Sequence, residues 1–210
     1  VNKELPFDRV NPYLSVGSEE RRVTASDTRD TIMSVAKAMV QARGYNALSF
    51  REIAKEVGIK SASIHYYFPT KGDLGMALAK RYTDDAVGYF ESLLVEPLDL
   101  ATRFQRYIAV FRGALLNDNR MCLYGIMAAE YGDLPPEVAI EVDRFTQANV
   151  DWLLRLLAER NQGAAEETAR QGALAIFAAI EGAQLVARGR GDIAVFDQII
   201  ASYRAAGLMP

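Results

Sequence analysis

Small hydroxyls, an imidazole, aromatic rings and a lysine crowd into one short stretch of this chain, residues 61–71, SASIHYYFPTK. Serine hydroxyls can bond phosphate oxygens or base edges, and tyrosine rings can touch thymine methyl groups or phosphates. Ile64 and Phe68 stand four apart and can face a core, which leaves Ser61, Ser63, His65 and Tyr66 on the other faces of one short helix. Lys71 falls in the first turn of the next helix, where backbone N–H groups and the helix dipole already favour an anion. This chemistry suits contact with duplex DNA.

Three further signals position that stretch. Ser49-Phe50-Arg51-Glu52 has the S-x-x-E form of a capping box, and Phe50, Ile53, Ala54 and Val57 repeat as one apolar helical face. Gly58 stands where that helix must stop, and Thr70 to Asp73 opens another helix after Pro69. Upstream, Ile32, Val35, Ala36, Met39 and Val40 mark an amphipathic helix from Asp27 to Gly44 that packs across the pair. The outcome is two short helices joined by a tight turn, a third across them, and a long helix from Thr70 to about Leu94 leading away. Between Ser49 and Arg81 six cations face three carboxylates, whereas the whole chain carries a net charge of −3. A basic patch on an acidic protein fits a confined nucleic-acid face.

The run from Ser49 to Leu74 resembles the DNA-binding domain of tetracycline-repressor-type (TetR family) transcriptional regulators. Ile53-Ala54, Val57-Gly58, Ser63-Ile64, Tyr66-Tyr67-Phe68, Lys71 and Leu74 carry the likeness, and Arg29 to Gly44 resembles the family's first helix. Lys60 stands where the family usually has a capping hydroxyl, a role the adjacent Ser61 is expected to take over. His65 stands where the family usually has a tyrosine that contacts the DNA backbone; a protonated imidazole can donate to phosphate in its place. The residues and the resemblance together mark Ser49, Arg51, Lys60, Ser61, Ala62, Ser63, His65, Tyr66, Tyr67 and Lys71 as DNA contacts. The resemblance also implies a C-terminal part that binds a small effector and forms a homodimer. Two recognition helices would then lie ~34 Å apart on a palindromic operator.

Half of the 210 residues are hydrophobic, only seven are proline, and alternating strand-like runs are few, so an all-α chain is expected. We divide it into an extended arm at 1–26, a helix-turn-helix domain at 27–74 and a helical domain at 75–210. In the arm, Arg21 and Arg22 can approach DNA, although Glu19 and Glu20 oppose this. Past Pro97, helices are expected at 98–116, 120–131, 136–160, 164–190 and 192–206, with Pro135-Pro136 suited to a helix start. No apolar run reaches the ~20 residues of a membrane span, the longest stopping at Glu181. One cysteine fits a reducing compartment, and we expect a cytoplasmic protein.

For the effector, Cys122, Ile126 and Glu130 share a helical stripe with Met127 and Tyr131 beside it. Phe104, Tyr107 and Phe111 before that stripe, and Phe145, Asn149 and Trp152 after it, complete a mostly apolar lining. For the dimer, Ala175, Ala179, Gly182 and Ala183 offer a small-residue face, and Phe196, Ile199 and Ile200 add apolar area. No P-loop, H-E-x-x-H or paired-cysteine metal spacing occurs, and the one histidine lies on the DNA face, so neither an enzyme nor a cofactor is expected. The expected function is a ligand-responsive repressor released from its operator when the effector binds. Two alternatives stand beside it: a helical dimer that binds small molecules or proteins without DNA, and a thiol-based electrophile sensor acting through Cys122.

Overall fold

The computed structural model describes residues 25–158, 163 and 165–210. The expected arm lies outside them, apart from its last two residues, which already belong to the first helix. The described chain is all-α: α1 (Ala25–Arg43), α2 (Phe50–Val57), α3 (Ser61–Tyr67), α4 (Lys71–Val95), α5 (Leu100–Leu116), α6 (Leu123–Ala129), α7 (Pro136–Leu156), α8 (Glu166–Arg190) and α9 (Ile193–Ala205). A single 3-10 turn, Tyr131–Asp133, separates α6 from α7.

α1, α2 and α3 pack around Ile32, Ala36, Val40, Ile53, Ala54, Ile64 and Phe68, all buried. Ser49 caps α2 by accepting from the Glu52 N–H, as the sequence implied. The reciprocal half of that box is diverted, because the Glu52 carboxylate accepts from the Arg43 guanidinium at 2.6 Å. Gly58 ends α2 at φ 78°, a left-handed conformation that costs glycine little. The full capping box sits instead at α4, where Thr70 Oγ1 accepts from the Asp73 N–H and Asp73 accepts from the Thr70 N–H.

α4 is continuous through residues 74 and 75, the anticipated domain boundary, and packs most extensively against α7. Arg155–Glu91 and Arg144–Asp84 ion pairs join those two helices at their surface. The apolar centre of this half lies among α4, α5, α7 and α8. Phe90, Phe104, Tyr107, Phe111, Trp152 and Phe177 are nearly inaccessible there.

α6 is shorter than the expected 120–131 helix. Asp118 and Asn119 adopt positive φ, and Cys122 becomes the N-cap of α6, its sulfur accepting from the Gly125 N–H at 3.1 Å. Cys122 and Glu130 therefore flank α6 and share no helical stripe with Ile126. α7 ends at Leu156, short of the expected 160, while Pro136 takes its first helical position as anticipated.

α8 also corrects an expectation, since it is long and apolar enough to cross a membrane by length and composition alone. It is apolar on two sides. Ala173, Ile176, Phe177, Ile180, Ala183 and Ala187 are buried inside the protein, whereas Leu174, Leu185 and Val186 are exposed.

Candidate nucleic-acid interface and effector region

α3 presents the expected face. Ile64 and Phe68 anchor it from beneath, and Ser61, Ala62, His65 and Tyr66 are exposed, Tyr66 at 82%. Ser63 and Tyr67 are half-buried, and the Tyr66 and Tyr67 rings meet edge to face at 5.2 Å. Lys60, not Ser61, is the N-cap of α3; its backbone is extended and its side chain makes no capping bond. The first turn is closed instead by the Ser63 N–H donating to the Lys60 carbonyl. Ser61 thus keeps its hydroxyl free of that duty, on the outer surface.

His65 is more constrained than sequence suggested. Its Nδ1 lies 3.0 Å from the Pro69 carbonyl, and its ring stands edge-on to Phe50 at 4.9 Å. A carbonyl can only accept, so Nδ1 carries the proton. The neutral ring then offers a bare Nε2, an acceptor, and only the doubly protonated ring can donate to a phosphate. Lys71 is partly committed as well. Its ammonium donates to the Asn46 carbonyl at 3.1 Å and lies 4.7 Å from the centre of the Tyr45 ring. Burial, with Glu137 nearby, pushes the Tyr45 phenol up to about 12. Ser49 and Arg51 lie at the start of α2, Ser49 half-buried as its cap and Arg51 exposed.

In the C-terminal half the structure brings together Phe104, Tyr107, Phe111, Phe145, Asn149 and Trp152. The Tyr107 ring stacks on Trp152 at 4.7 Å and meets Phe111 at 5.2 Å. The Tyr107 hydroxyl donates to Asn149 Oδ1 at 2.8 Å, and the Asn149 amide donates to the Phe145 carbonyl. Both polar groups are thereby satisfied within the core. Met127 and Phe145 border a crevice shared with Tyr82, Tyr124, Glu141 and Val142, whose free volume is about 10 Å³, room for little more than one water-sized sphere. Ile126 is half-buried on α6.

Glu130 and Tyr131 do not join that lining. Glu130 accepts from the Asn46 N–H at 2.9 Å, so it ties the end of α6 to the turn after α1. Gly44 in that turn has φ 92°, and a Cβ there would fall 2.0 Å from the Glu130 carboxylate. Tyr131 is 63% exposed. The reason is the early end of α6: past Ala129 the chain turns toward α1 and leaves the aromatic interior.

Sequence reasoning missed Phe90, Tyr124, Phe177, Glu181 and Gln184. Phe90 contacts Tyr107 and Trp152, Tyr124 stacks on Phe145, and Phe177 meets Phe111. Glu181 and Gln184 were legible as polar residues interrupting an apolar helix. Gln184 is fully buried; it donates to the Phe111 carbonyl at 2.6 Å and accepts from the Cys122 N–H at 3.1 Å. The Cys122 thiol donates to the Glu181 carboxylate, with sulfur–oxygen distances of 3.1 and 3.3 Å. Burial pushes the Glu181 carboxyl up to about 7, and burial together with Glu181 pushes the Cys122 thiol well above its ordinary value. A thiol held this way has little thiolate character, which works against the electrophile-sensor alternative.

The expected dimer residues divide between two sides of α8 and α9. Ala183, Phe196 and Ile200 are buried within the protomer, where they support α8 against α9 and the core. Ala175 and Gly182 are exposed, with Ala179 and Ile199 half-buried. The outer face of α8 also carries Leu174, Ala178, Leu185 and Val186, which the sequence reading did not select. Added Cβ atoms at Gly172, Gly182 or Gly189 would meet nothing within 4 Å, so packing inside the protomer does not require glycine there.

Residues 32–78 match the family model for bacterial regulatory proteins of the tetR family. The fold is similar to a TetR transcriptional regulator from Legionella pneumophila, with 31% identity, TM-score 0.78, 87% of this chain and 97% of that one covered. A TetR-family regulator from Agrobacterium tumefaciens aligns at 32% identity and TM-score 0.76, over 83% of this chain and 94% of that one. Among curated relatives, the transcriptional activator FasR of Mycolicibacterium smegmatis is 24% identical over 75% of this chain and 70% of its own length. The transcriptional repressor KstR2 of the same organism is 26% identical over 51% of this chain and 53% of its own length.

Proposed function

This chain belongs to the tetR family of bacterial regulatory proteins, and we propose that it works as a homodimeric repressor released from a palindromic operator by a small-molecule effector. It is a DNA-binding transcriptional regulator; its dimer, its effector and the direction of regulation are this proposal's content. The observation that carries it is the outer face of α3, where Ser61, Ala62, His65 and Tyr66 stand exposed above the anchors Ile64 and Phe68. In this reading α2 and α3 with their flanking helices form the DNA-reading part, and residues from 75 onward form the effector and dimer part. Ser61, Ser63, His65 and Tyr66 enter the major groove, while Ser49, Arg51, Lys60, Tyr67 and Lys71 steady the helix against phosphates.

The outer face of α8 supports pairing, because small and apolar side chains there let a second copy of the helix approach closely. For the effector, we assign the region between the Tyr82–Phe145 crevice and the Tyr107–Trp152 stack, which is mostly apolar with few polar groups. The crevice is narrow, so an effector must favour a conformation in which α6 stands away from α7, and its binding energy shifts that equilibrium. The activity is binding alone, exercised in the cytoplasm where the operator is, with no catalytic step, metal or cofactor.

The test is selection of bound genomic fragments by the full chain, followed by mobility-shift titration at several salt concentrations. Affinity for a two-fold symmetric site should fall steeply with salt as counterions return to phosphates. Failure to bind any fragment, or binding that ignores salt, would reject DNA recognition by this face.

A further inference from the structure

The last turn of α1 leaves carbonyls without intrahelical partners, as every α-helix does. Two of them are taken by a residue 146 to 147 positions away. Arg188 Nη1 donates to the Gln41 carbonyl at 3.1 Å and Nη2 to the Ala42 carbonyl at 2.9 Å. The planar fork thus spans two consecutive carbonyls, and its charge meets the negative end of the α1 dipole. The same knot is tied three times more, first by the Met121 N–H, which donates to the Gln41 carbonyl at 3.3 Å. The buried Gln41 side chain donates to the Met121 carbonyl at 3.1 Å, and Asn119 donates to the carbonyl of Arg188 itself at 3.1 Å.

Arg188 belongs to a polar stripe along α8. Glu181, Gln184 and Arg188 stand at i, i+3 and i+7, hence on one side of the helix. Glu181 engages the Cys122 thiol, Gln184 engages the α5 backbone and the Cys122 N–H, and Arg188 engages α1. The small, apolar face of the proposed dimer borders this stripe, Leu174 and Leu185 standing at i−7 and i+4 from Glu181. In the proposed dimer one helix therefore meets the partner copy, the effector region and the helix that carries α2 and α3.

We propose that Arg188 is a positioning residue: through it α8 sets the angle of the DNA-reading helices on the dimer, and so the half-site spacing the dimer accepts. The inference rests on the DNA-binding reading above. It is distinct from contact with DNA, because Arg188 lies on the helix of the proposed dimer face and, among the described residues, its guanidinium donates to the backbone carbonyls of Gln41 and Ala42. α1 in turn packs against α2, so losing the fork loosens the head on its remaining ties through Gln41, Met121 and Glu130 without altering the face that reads bases.

The experiment compares the full-length protein with Arg188→Met, which keeps the apolar stem, and Arg188→Lys, which keeps the charge without the fork. Each is titrated against the selected operator, against versions with the half-sites moved closer or farther by single base pairs, and against one isolated half-site. Arg188→Met should bind the isolated half-site like the parent and keep the parent's molar mass. Its preference for the native spacing over neighbouring spacings should fall roughly five-fold or more, with Arg188→Lys in between. An unchanged spacing profile overturns the proposal, as does an equal loss of half-site affinity, which would signal damage to the head itself. Hydrogen exchange supplies an arm without DNA: Arg188→Met should speed exchange at the Gly44 N–H, which closes α1 onto Val40, while α8 stays protected. If the parent binds no duplex, the DNA-binding reading fails, and this arm alone decides whether Arg188 holds α1.

Discussion

The outward faces of α3 and α8 are both open, yet they differ in kind. α3 shows hydroxyls, an imidazole and a tyrosine on a helix of seven residues; α8 shows glycine, alanine, leucine and valine along twenty-five. An exposed polar and aromatic face is fitted to a charged, hydrated partner such as DNA. An exposed small and apolar face is fitted to dry packing against a like surface, because burial of apolar area favours association. The contrast supports the proposed division of the two faces between two kinds of partner, and each half of that proposal can be broken separately.

The largest effect is expected on α8. Leu185→Asp places a charge at the centre of the proposed pairing surface, so light scattering should report single chains. Operator affinity should then drop by roughly 10²–10⁴, as the second half-site no longer binds intramolecularly. A variant that remains paired would move the interface off this face.

The inner side of α8 offers the next test. The Glu181 carboxyl is raised to about 7 from an ordinary 4.5 by burial. Below the lower value both folded and unfolded chains hold the proton, and the group is neutral to stability. Between the two values the unfolded chain releases its proton first, so stability falls as pH rises, and the full penalty is present above about 7. Glu181→Gln should therefore raise stability at pH 8 by on the order of 2–3 kcal/mol, a gain that fades in acid. Denaturant melts at several pH values measure it; a pH-independent difference would mean the carboxyl is not the cause.

On α3, Tyr66→Ala should weaken operator binding by about ten-fold, and Lys71→Ala by a similar factor with a shallower salt slope. Both variants should remain dimeric. Because Lys71 also holds Asn46 and Tyr45, its melting temperature must be read alongside; parent-like binding by both variants would move the DNA face elsewhere. The smallest effect is at the α3 cap. Lys60→Ser supplies the side-chain acceptor that Lys60 lacks and should stabilise the head by about 0.5–1 kcal/mol, visible as a modest rise in melting temperature.

The all-α class, α1 to α4 and the outward set on α3 were legible from sequence because local rules set them. Caps at Ser49 and Thr70, a stop at Gly58 and apolar repeats at i, i+3 and i+4 act within one or two turns. The limits of such rules appear at Glu52 and Ser61. Both fit local capping patterns, but Arg43 captures the Glu52 carboxylate across the fold, and Ser61 lies one residue inside its helix.

The C-terminal half was less legible. Its helices are apolar on more than one side, so periodicity could not say which side faces inward; Ala183 and Gly182 are neighbours in sequence and point to different surroundings. Glu130 could be placed on a helix from sequence but not turned toward Asn46, because that turn depends on where α6 ends. Composition and local pattern by themselves determined the helices, the head and its chemistry. Tertiary structure alone decided the aromatic interior, the Glu181 to Arg188 stripe and its grip on α1, since those contacts join residues tens to more than a hundred positions apart and exist only once packing has chosen each helix face.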